Sequence, residues 1–324
     1  MARSHRLLTL VLVLAFLIPL LAGCSAGASY PTKPIQMIVP FPAGGSCDMT
    51  GRAIAEAVKT HLPQPIAVVN RAGGSGTIGT SEVVTAKPDG YTIGITAVAV
   101  LTMQPHLNDL PYKGPEDMIP VISLINQAIV FAVRDDSPYK TMQDFLDAAK
   151  AKPGQLKVGH PGNGTVLHID LERLKVATNT DIVSVPFAGG GESVPAFLGG
   201  HVDALVAHPA EIIAHVKAGK ARVLGVFEDE RIPGWEDVPT FKEMGIDVVG
   251  GVYYMIIVPK DTPADVVKTL HDAIQKAQKE QSFVDFAKDK YDIFYSTGDE
   301  LMNKLKADYV ANGKIVEQLG MKKQ

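Results

Sequence analysis

The residues of this sequence that could do chemistry are chiefly those that would expose backbone N–H groups, and less those with reactive side chains. The stretch from residue 35 to residue 48, IQMIVPFPAGGSCD, begins as a short apolar run and then breaks at two prolines and two glycines. Ser46 and Asp48 suit the start of the amphipathic helix that follows. A strand, a glycine turn and a helix start expose free N–H groups at the positive end of a helix dipole. The stretch therefore predicts an anion site, although an ordinary strand–helix turn has the same pattern.

The same arrangement occurs four times along the chain. Glycine-rich turns follow apolar runs at residues 43–48, 72–79, 161–165 and 188–193. Strand-like and helical runs alternate throughout, which is typical of an α/β protein with parallel sheets. Ligands of open parallel sheets bind at the carboxyl ends of the strands, where these turns lie. We therefore expect two turns in each of two domains, facing a shared cleft.

The side chains near these turns are mostly hydroxyls. The candidates are Ser46, Ser75, Thr77, Thr96, Thr165 and Ser193. Arg71 and Lys113 are candidate cations, but surface positions are the stronger interpretation for both. A cleft of this kind can hold a carboxylate through neutral dipoles, reversibly and without chemistry.

Cys47 offers an alternative function, that of an exported enzyme with a cysteine nucleophile. A helix N-terminus lowers the pKa of a thiol, and His160, His168 or His208 could act as its base. No local signature pairs the thiol with any of them, so we expect no catalytic residue. The spacing of histidines and cysteines matches no common metal site, and we expect neither a metal nor a cofactor.

The N-terminus predicts export. Basic residues at positions 3 and 6 precede the apolar run 7–21, which is typical of a secretory signal peptide covering residues 1–23. The tetrapeptide LAGC that ends at Cys24 resembles the lipobox of bacterial lipoproteins. We therefore expect lipid on Cys24, a tether over residues 24–29, and an extracytoplasmic protein anchored to a membrane. An uncleaved anchor and plain cleavage are the alternatives.

Composition limits the remaining possibilities. A net charge of −4 gives no reason to expect nucleic-acid binding. The 324 residues, of which 46% are hydrophobic, suit two domains of ordinary size. Beyond residue 21 no apolar run is long enough to span a bilayer. With lipid on Cys24, Cys47 would be left without a disulfide partner.

Several longer stretches then carry a family resemblance. YPTKPIQMIVPFPAGGSCD, VVNRAGGSGTIGT, KPDGYT and AKPGQLKVG are followed in order by VPFAGGGESVPAFLGGHVDAL, AGKARVLGV, DVPTFKEMG and VPKDTP. With these stretches the chain resembles the extracytoplasmic solute receptors of the tripartite tricarboxylate transporter family, the TctC or Bug proteins. They cover nearly all of the chain beyond the leader.

The resemblance implies a two-domain α/β fold like that of periplasmic binding proteins, with parallel-rich sheets flanked by helices and a ligand cleft between the domains. Domain 1 would comprise residues 30–125 and 245–324, and domain 2 would comprise residues 126–244. The receptor would capture a small organic carboxylate for the membrane subunits of a tripartite tricarboxylate-type transporter. A receptor that reports its ligand to a signalling partner is an alternative that the sequence leaves open.

The resemblance also implies the ligand-binding residues. The first turn would hold one carboxylate, partly through bound water, with Phe41, Gly44, Ser46 and Asp48. The turn at 188–193 would hold the other end of the ligand with Phe187, Gly189, Gly190 and Glu192. The remaining residues expected around the cleft are Thr96, Thr165, His168 and Asp203.

This sequence departs from the family pattern at three places. Cys47 stands where Thr is usual, and Glu192 with Ser193 replaces a pair like Pro-Ala. The run AHPA at 207–210 replaces a commoner Asp-Asn-Leu-Pro. A carboxylate at Glu192 would repel an anionic ligand unless it pairs with a cation or points away. The departures bear on the identity of the ligand more than on the fold.

Overall fold

A computed structural model describes residues 30–288, 290–321 and 323. The predicted leader, the lipidation site at Cys24 and the tether lie outside the described residues. The strands are β1 (Ile35–Val39), β2 (Ile66–Asn70), β3 (Thr92–Ala97), β4 (Met118–Gln127), β5 (Val130–Arg134), β6 (Lys157–His160), β7 (Val183–Pro186), β8 (Ala204–Ala207), β9 (Ala221–Val226), β10 (Val252–Pro259) and β11 (Asp292–Ile293).

Helices connect most of these strands. They are α1 (Ser46–Ala57), α2 (Thr77–Val84), α3 (Val98–Thr102), α4 (Gln104–Leu107), α5 (Met142–Ala151), α6 (Val166–Thr178), α7 (Gly190–Leu198), α8 (Pro209–Lys217), α9 (Ala264–Ala277), α10 (Gln281–Ala287) and α11 (Gly298–Gln318). Within the described part of the chain, no helix is both long and apolar enough to cross a membrane.

The strands form two sheets. The first has six strands in the order β11-β4-β10-β3-β1-β2, and the second has five in the order β7-β6-β8-β5-β9. The predicted α/β class is therefore confirmed. Both sheets are mixed: β1 pairs in parallel with β2 and β3, and β6 pairs in parallel with β7 and β8. The contacts of β10 with β3 and β4, and those of β5 with β8 and β9, are antiparallel.

Apart from β11, which pairs antiparallel with β4, the strands with antiparallel neighbours include those that follow the two crossings between the sheets, β5 and β10. The chain leaves the first sheet after Gln127 and enters the second at Val130, and it returns between Val226 and Val252. Strands joined by such a crossing lack the helical connection that returns a chain in parallel. The strands of the second sheet all lie between the predicted boundaries at 126 and 245, and those of the first sheet lie outside them except for the last two residues of β4. The two-domain division itself stays a prediction.

A continuous core explains the long apolar runs in the sequence. All eight residues of β10 are buried, because this strand lies inside the first sheet between β3 and β4. One cluster of buried side chains extends from Ile35 in the first sheet to Phe131 and Val206 in the second. The two sheets therefore share apolar contacts and form a closed arrangement.

The helix starts fall into two classes. Thr141, Thr165 and Thr297 precede α5, α6 and α11, and each accepts a hydrogen bond from a backbone N–H of its own helix. Gly45 and Gly189 precede α1 and α7 and provide no side-chain cap. The first N–H groups of α1 and α7 must therefore find acceptors outside their own helices.

Two carboxyl groups lie beside the returning crossing, that of Asp170 buried and that of Glu228 half-buried. Asp170 in α6 is 1% exposed, and its Oδ1 accepts from Arg173 at 3.2 Å. Burial raises the pKa of Asp170 to about 7, although Arg173 acts in the opposite direction. Burial, followed by the charges of Asp170 and Asp292, raises the pKa of Glu228 to about 7.

These carboxyl groups predict a stability that falls as the pH rises. The unfolded chain loses the Asp170 proton near pH 4, whereas the folded protein holds it to about pH 7, so the loss accumulates between those values. Asp170→Asn should therefore raise the free energy of unfolding at about pH 8 by about 2 kcal/mol, and by less at about pH 4. Urea unfolding at both pH values measures this.

Asp237→Asn is the matched control, because Asp237 is exposed. It should leave the pH dependence of unfolding as it is in the wild type. An Asp170→Asn protein that is less stable than the wild type at both pH values would contradict the prediction.

Candidate functional site

The first glycine turn connects β1 to α1 and is held by Asp48. Gly44 has a φ of +82°, a conformation that favours glycine, and its N–H donates to Asp48 Oδ2 at 2.9 Å. Asn70 donates to Asp48 Oδ1 at 2.8 Å, and Arg52 Nε donates at 3.0 Å. Burial raises the pKa of Asp48, but the hydrogen bonds from Arg52, Gly44 and Asn70 outweigh it and lower the pKa overall. The carboxylate of Asp48 is therefore used to shape the turn.

The second glycine turn belongs to the other sheet and packs directly on the first. Gly189 lies against Pro42, and Gly191 lies so close to the carbonyl oxygen of Ala43 that no Cβ would fit between them. The starts of α1 and α7 therefore face each other across the cleft. Backbone contact of this kind requires glycine.

Glu211 lies between the two turns. The N–H of Ser46 donates to Glu211 Oε1 at 2.9 Å, although the two residues are 165 positions apart. The same carboxylate packs against Gly190, where it leaves no room for a Cβ. Its Oε2 accepts from the N–H of His208 at 3.3 Å, as part of a capping box at the start of α8. A carboxylate of the protein thus occupies the place where α1 needs an acceptor.

A cavity opens beside Glu211. Its lining residues come from both sheets and are Phe41, Gly45, Ser46, Cys47, Ala97, Ala99, Val100, Pro161, Thr165, Val166, Leu167, Gly190, His208, Glu211, Val252 and Tyr254. Most are apolar, and none of these lining residues is Lys or Arg. The starts of α1, α6, α7 and α8 all meet here, so the cavity lies in a region of positive helix-dipole potential.

The hydroxyl of Ser46 connects the first turn to the crossing between the sheets. Ser46 Oγ donates to Oε1 of Gln127, the last residue of β4, and lies 3.2 Å from the hydroxyl of Tyr291. Both Ser46 and Gln127 are almost completely buried. Ser46 therefore makes two connections. Its N–H is bonded to Glu211 of the second sheet's half, and its hydroxyl is bonded to Gln127 at the crossing.

Cys47 and His208 are in surroundings that favour their neutral forms. Burial, followed by the charges of Asp48 and Glu211, raises the pKa of the Cys47 thiol well above its ordinary value. The expected lowering of that pKa by the helix start is not found, because desolvation outweighs the dipole. Burial lowers the pKa of His208, whose Nδ1 lies 2.9 Å from the carbonyl oxygen of Ala128. A thiolate with an imidazolium partner is therefore disfavoured.

The predicted site residues divide into two groups. Four of them line the cavity: Phe41, Ser46, Thr165 and Gly190. Gly44, Asp48 and Gly189 belong to the two turns but are absent from its lining. Glu192 is exposed and points away from the ligand position, with its Oε2 accepting from the N–H of Ala188 at 3.4 Å.

The other four predicted residues do not line this cavity. Thr96 is buried and lies 3.2 Å from Thr80 through their hydroxyls. His168 stacks on His160 with ring centroids 4.5 Å apart, and lines a separate cavity. Phe187 packs into the core of the second sheet. Asp203 accepts from the N–H of Lys157 at 2.8 Å, at the opposite end of β8 from the glycine turns.

Sequence reasoning missed the residue at the centre of the site. Glu211 follows the pair His208-Pro209 at the third helical position, which is typical of a capping box and could have drawn attention to it. Its contact with Ser46 depends on how the sheets close and has no local signal. Val252 and Tyr254, which also line the cavity, lie in the buried strand β10 and carry no local signal of a site.

Comparisons with known proteins extend these observations. A family model described as tripartite tricarboxylate transporter family receptor matches residues 50–321. The UPF0065 protein in the gbd 5' region of Cupriavidus necator is 33% identical over 296 residues, which cover 91% of this chain and 90% of that protein. The solved structure of a periplasmic transporter is 35% identical, has a TM-score of 0.87 and covers 91% of this chain and 99% of that one.

A further solved structure, MatC from Rhodopseudomonas palustris with bound malate, is 25% identical with a TM-score of 0.84 and covers 89% of this chain and 100% of that one. The family match includes strands of both sheets, so it reflects the whole architecture and not a local motif. The resemblance found in the sequence is thereby confirmed, and this chain belongs to the tripartite tricarboxylate transporter family of solute-binding receptors.

Proposed function

We propose that this protein captures a small organic carboxylate outside the cytoplasm, by closing its two sheets over the ligand, and presents it to a tripartite tricarboxylate-type transporter in the membrane. The observation that carries the proposal is the meeting of two glycine turns, one from each sheet, at a single cavity. A ligand held between them touches both halves at once. Such a ligand favours the closed state by the difference between its affinities for the closed and open forms.

The chemistry of the cavity supports a carboxylate as the ligand. The starts of α1, α6 and α7 direct backbone N–H groups towards it, and these bind anions without a cationic side chain. MatC, a structural neighbour, holds malate, which is a dicarboxylate. Most residues of the lining are apolar, which suits a carbon skeleton beside the charged group.

A first experiment is a thermal-shift screen of the purified protein with carboxylates and their neutral amides. A carboxylate at about a hundred times its dissociation constant should add about 2.7 kcal/mol to the free energy of unfolding. No shift by any carboxylate, with the protein folded, would count against the proposal. A rise in melting temperature with a neutral amide, and with none of the carboxylates, would also count against the proposal.

Gly191→Ala tests closure directly. Alanine suits the helical backbone of α7, but its Cβ would collide with the carbonyl oxygen of Ala43 across the cleft. The variant should fold and bind the carboxylate found in the screen at least about tenfold more weakly, as measured by calorimetry. Gly114→Ala is the control, because its Cβ would meet only ordinary contacts. Equal affinities of Gly191→Ala and the wild type would refute closure at this point.

We further propose that the protein is not an enzyme that uses Cys47. The raised pKa and the burial of the thiol support this. Iodoacetamide should therefore modify Cys47 slowly in the native protein and quickly in guanidinium chloride, as measured by mass spectrometry. Equal rates in the two states would contradict the prediction. Turnover of an ester that is lost in Cys47→Ser would favour the enzyme instead.

We also propose that lipid on Cys24 anchors the receptor to the membrane. The support is the lipobox-like sequence LAGC after an apolar leader. Cells that express the protein should incorporate labelled palmitate into it, and Cys24→Ala should abolish the label and release the protein from the membrane fraction. Cys47→Ser, which alters the other cysteine, should be labelled like the wild type. Label retained in Cys24→Ala would exclude this anchor.

A further inference from the structure

Glu211 fills part of the anion site with a group of the protein itself. Oε1 accepts the N–H of Ser46 from the first sheet, and Oε2 accepts the N–H of His208 in its own helix. Gly190 packs against the same carboxylate. The group therefore bridges the starts of α1 and α8 by hydrogen bonds and packs against the second glycine turn at Gly190.

The charges around the cavity differ from those expected for a site that takes two carboxylates. Glu211 is the one Asp or Glu among the lining residues, and that lining contains no Lys or Arg. A dicarboxylate would place a second negative charge next to Glu211 without a cationic side chain in the lining to compensate it. Like charges in a partly apolar enclosure repel strongly, because water screens them little.

The remaining donors of the cavity suit one carboxylate. Val166 and Leu167 are the first two residues of α6 and line the cavity. Their N–H groups belong to those that a helix leaves without an internal partner. The cap at Thr165 satisfies the N–H of His168 and leaves these two free for a ligand.

We propose that Glu211 takes the place of one ligand carboxylate, so that this receptor selects monocarboxylates with an apolar body over dicarboxylates. The inference rests on the proposed function, since it assumes that the ligand is a carboxylate bound in this cavity. Glu211 is then the residue that sets the charge of the ligand. Removing its charge frees the anion site for a second carboxylate.

The test is calorimetry with matched pairs of acids: hexanoate with adipate, and benzoate with terephthalate. In at least one pair the wild type should bind the monocarboxylate at least about tenfold more tightly than the dicarboxylate. Glu211→Gln keeps the size of the side chain and an oxygen that can accept from Ser46, but it removes the charge. This variant should lower that preference at least about tenfold.

Glu230→Gln is the control variant, because it makes the same change at an exposed position. It should keep the preference of the wild type. Thermal unfolding of all three proteins checks that Glu211→Gln is folded. A wild type that prefers the dicarboxylates, or a preference unchanged in Glu211→Gln, would overturn the inference while the receptor function stands.

Two other outcomes separate this inference from the proposed function. Hexylamine that binds the wild type more tightly than hexanoate, with the order reversed in Glu211→Gln, would make Glu211 the counter-ion of an amine and overturn the monocarboxylate assignment. Failure of all four acids to bind the wild type and both variants would count against the carboxylate receptor itself, and the inference would fall with it.

Discussion

The structure depends on one constraint: α1 and α7, whose first turns pack on each other, begin without side-chain caps of their own. A buried N–H that finds no acceptor costs about 1–3 kcal/mol, so the first turns of α1 and α7 cannot meet in the interior unless something accepts their hydrogen bonds. Three other helices solve the problem locally with a threonine cap, as α5 does with Thr141. Gly45 and Gly189 cannot do so, and the two sheets must bring the acceptor to them.

Glu211 is the acceptor that the second sheet supplies. A hydrogen bond from a backbone N–H to a carboxylate contributes about 1.5–3 kcal/mol, more than a neutral pair does. Two carboxylates 4 Å apart repel by about 4 kcal/mol at an effective dielectric constant of about 20. A repulsion of that size changes an affinity by nearly three orders of magnitude. In the proposed site, this repulsion is what separates a dicarboxylate from a monocarboxylate.

The sequence predicts the backbone of this site well, because its signals are local. Glycines after apolar runs mark the turns at 43–48 and 188–193, and both turns lie at the cavity. The directions of polar side chains were harder to predict. Asp48 and Asp203 are next to expected contact points, yet each accepts hydrogen bonds from backbone N–H groups nearby in the fold. Proximity to a turn does not decide whether a carboxylate faces the ligand or the protein.

Contacts across the cleft were beyond sequence reasoning for a different reason. Ser46 and Glu211 meet only when two sheets with separate local patterns come together, and no periodicity within either segment records that. The mixed pairing of the sheets has the same origin, since β5 and β10 follow the crossings and not a helical return. Such features depend on how the sheets are arranged in space.

The proposed closure of the two sheets over the ligand depends on the few contacts that exist only in the closed form. The hydrogen bonds of Asp48 with Gly44 and Asn70 lie within one sheet's own turn, so they contribute equally whether the cleft is open or closed. They make the turn rigid. Because they contribute the same free energy to both forms, they do not change the equilibrium between the open and the closed form.

The bond from Ser46 to Glu211 and that from Gln104 Nε2 to the carbonyl oxygen of Asn163, at 2.7 Å, cross the cleft. Both bonds join the two halves of the molecule, so they are contacts that the closed form has and an open form would lose. The Ser46 hydroxyl extends the same connection to Gln127 at the crossing, so the turn that carries the anion site is tied to the segment about which the sheets are joined.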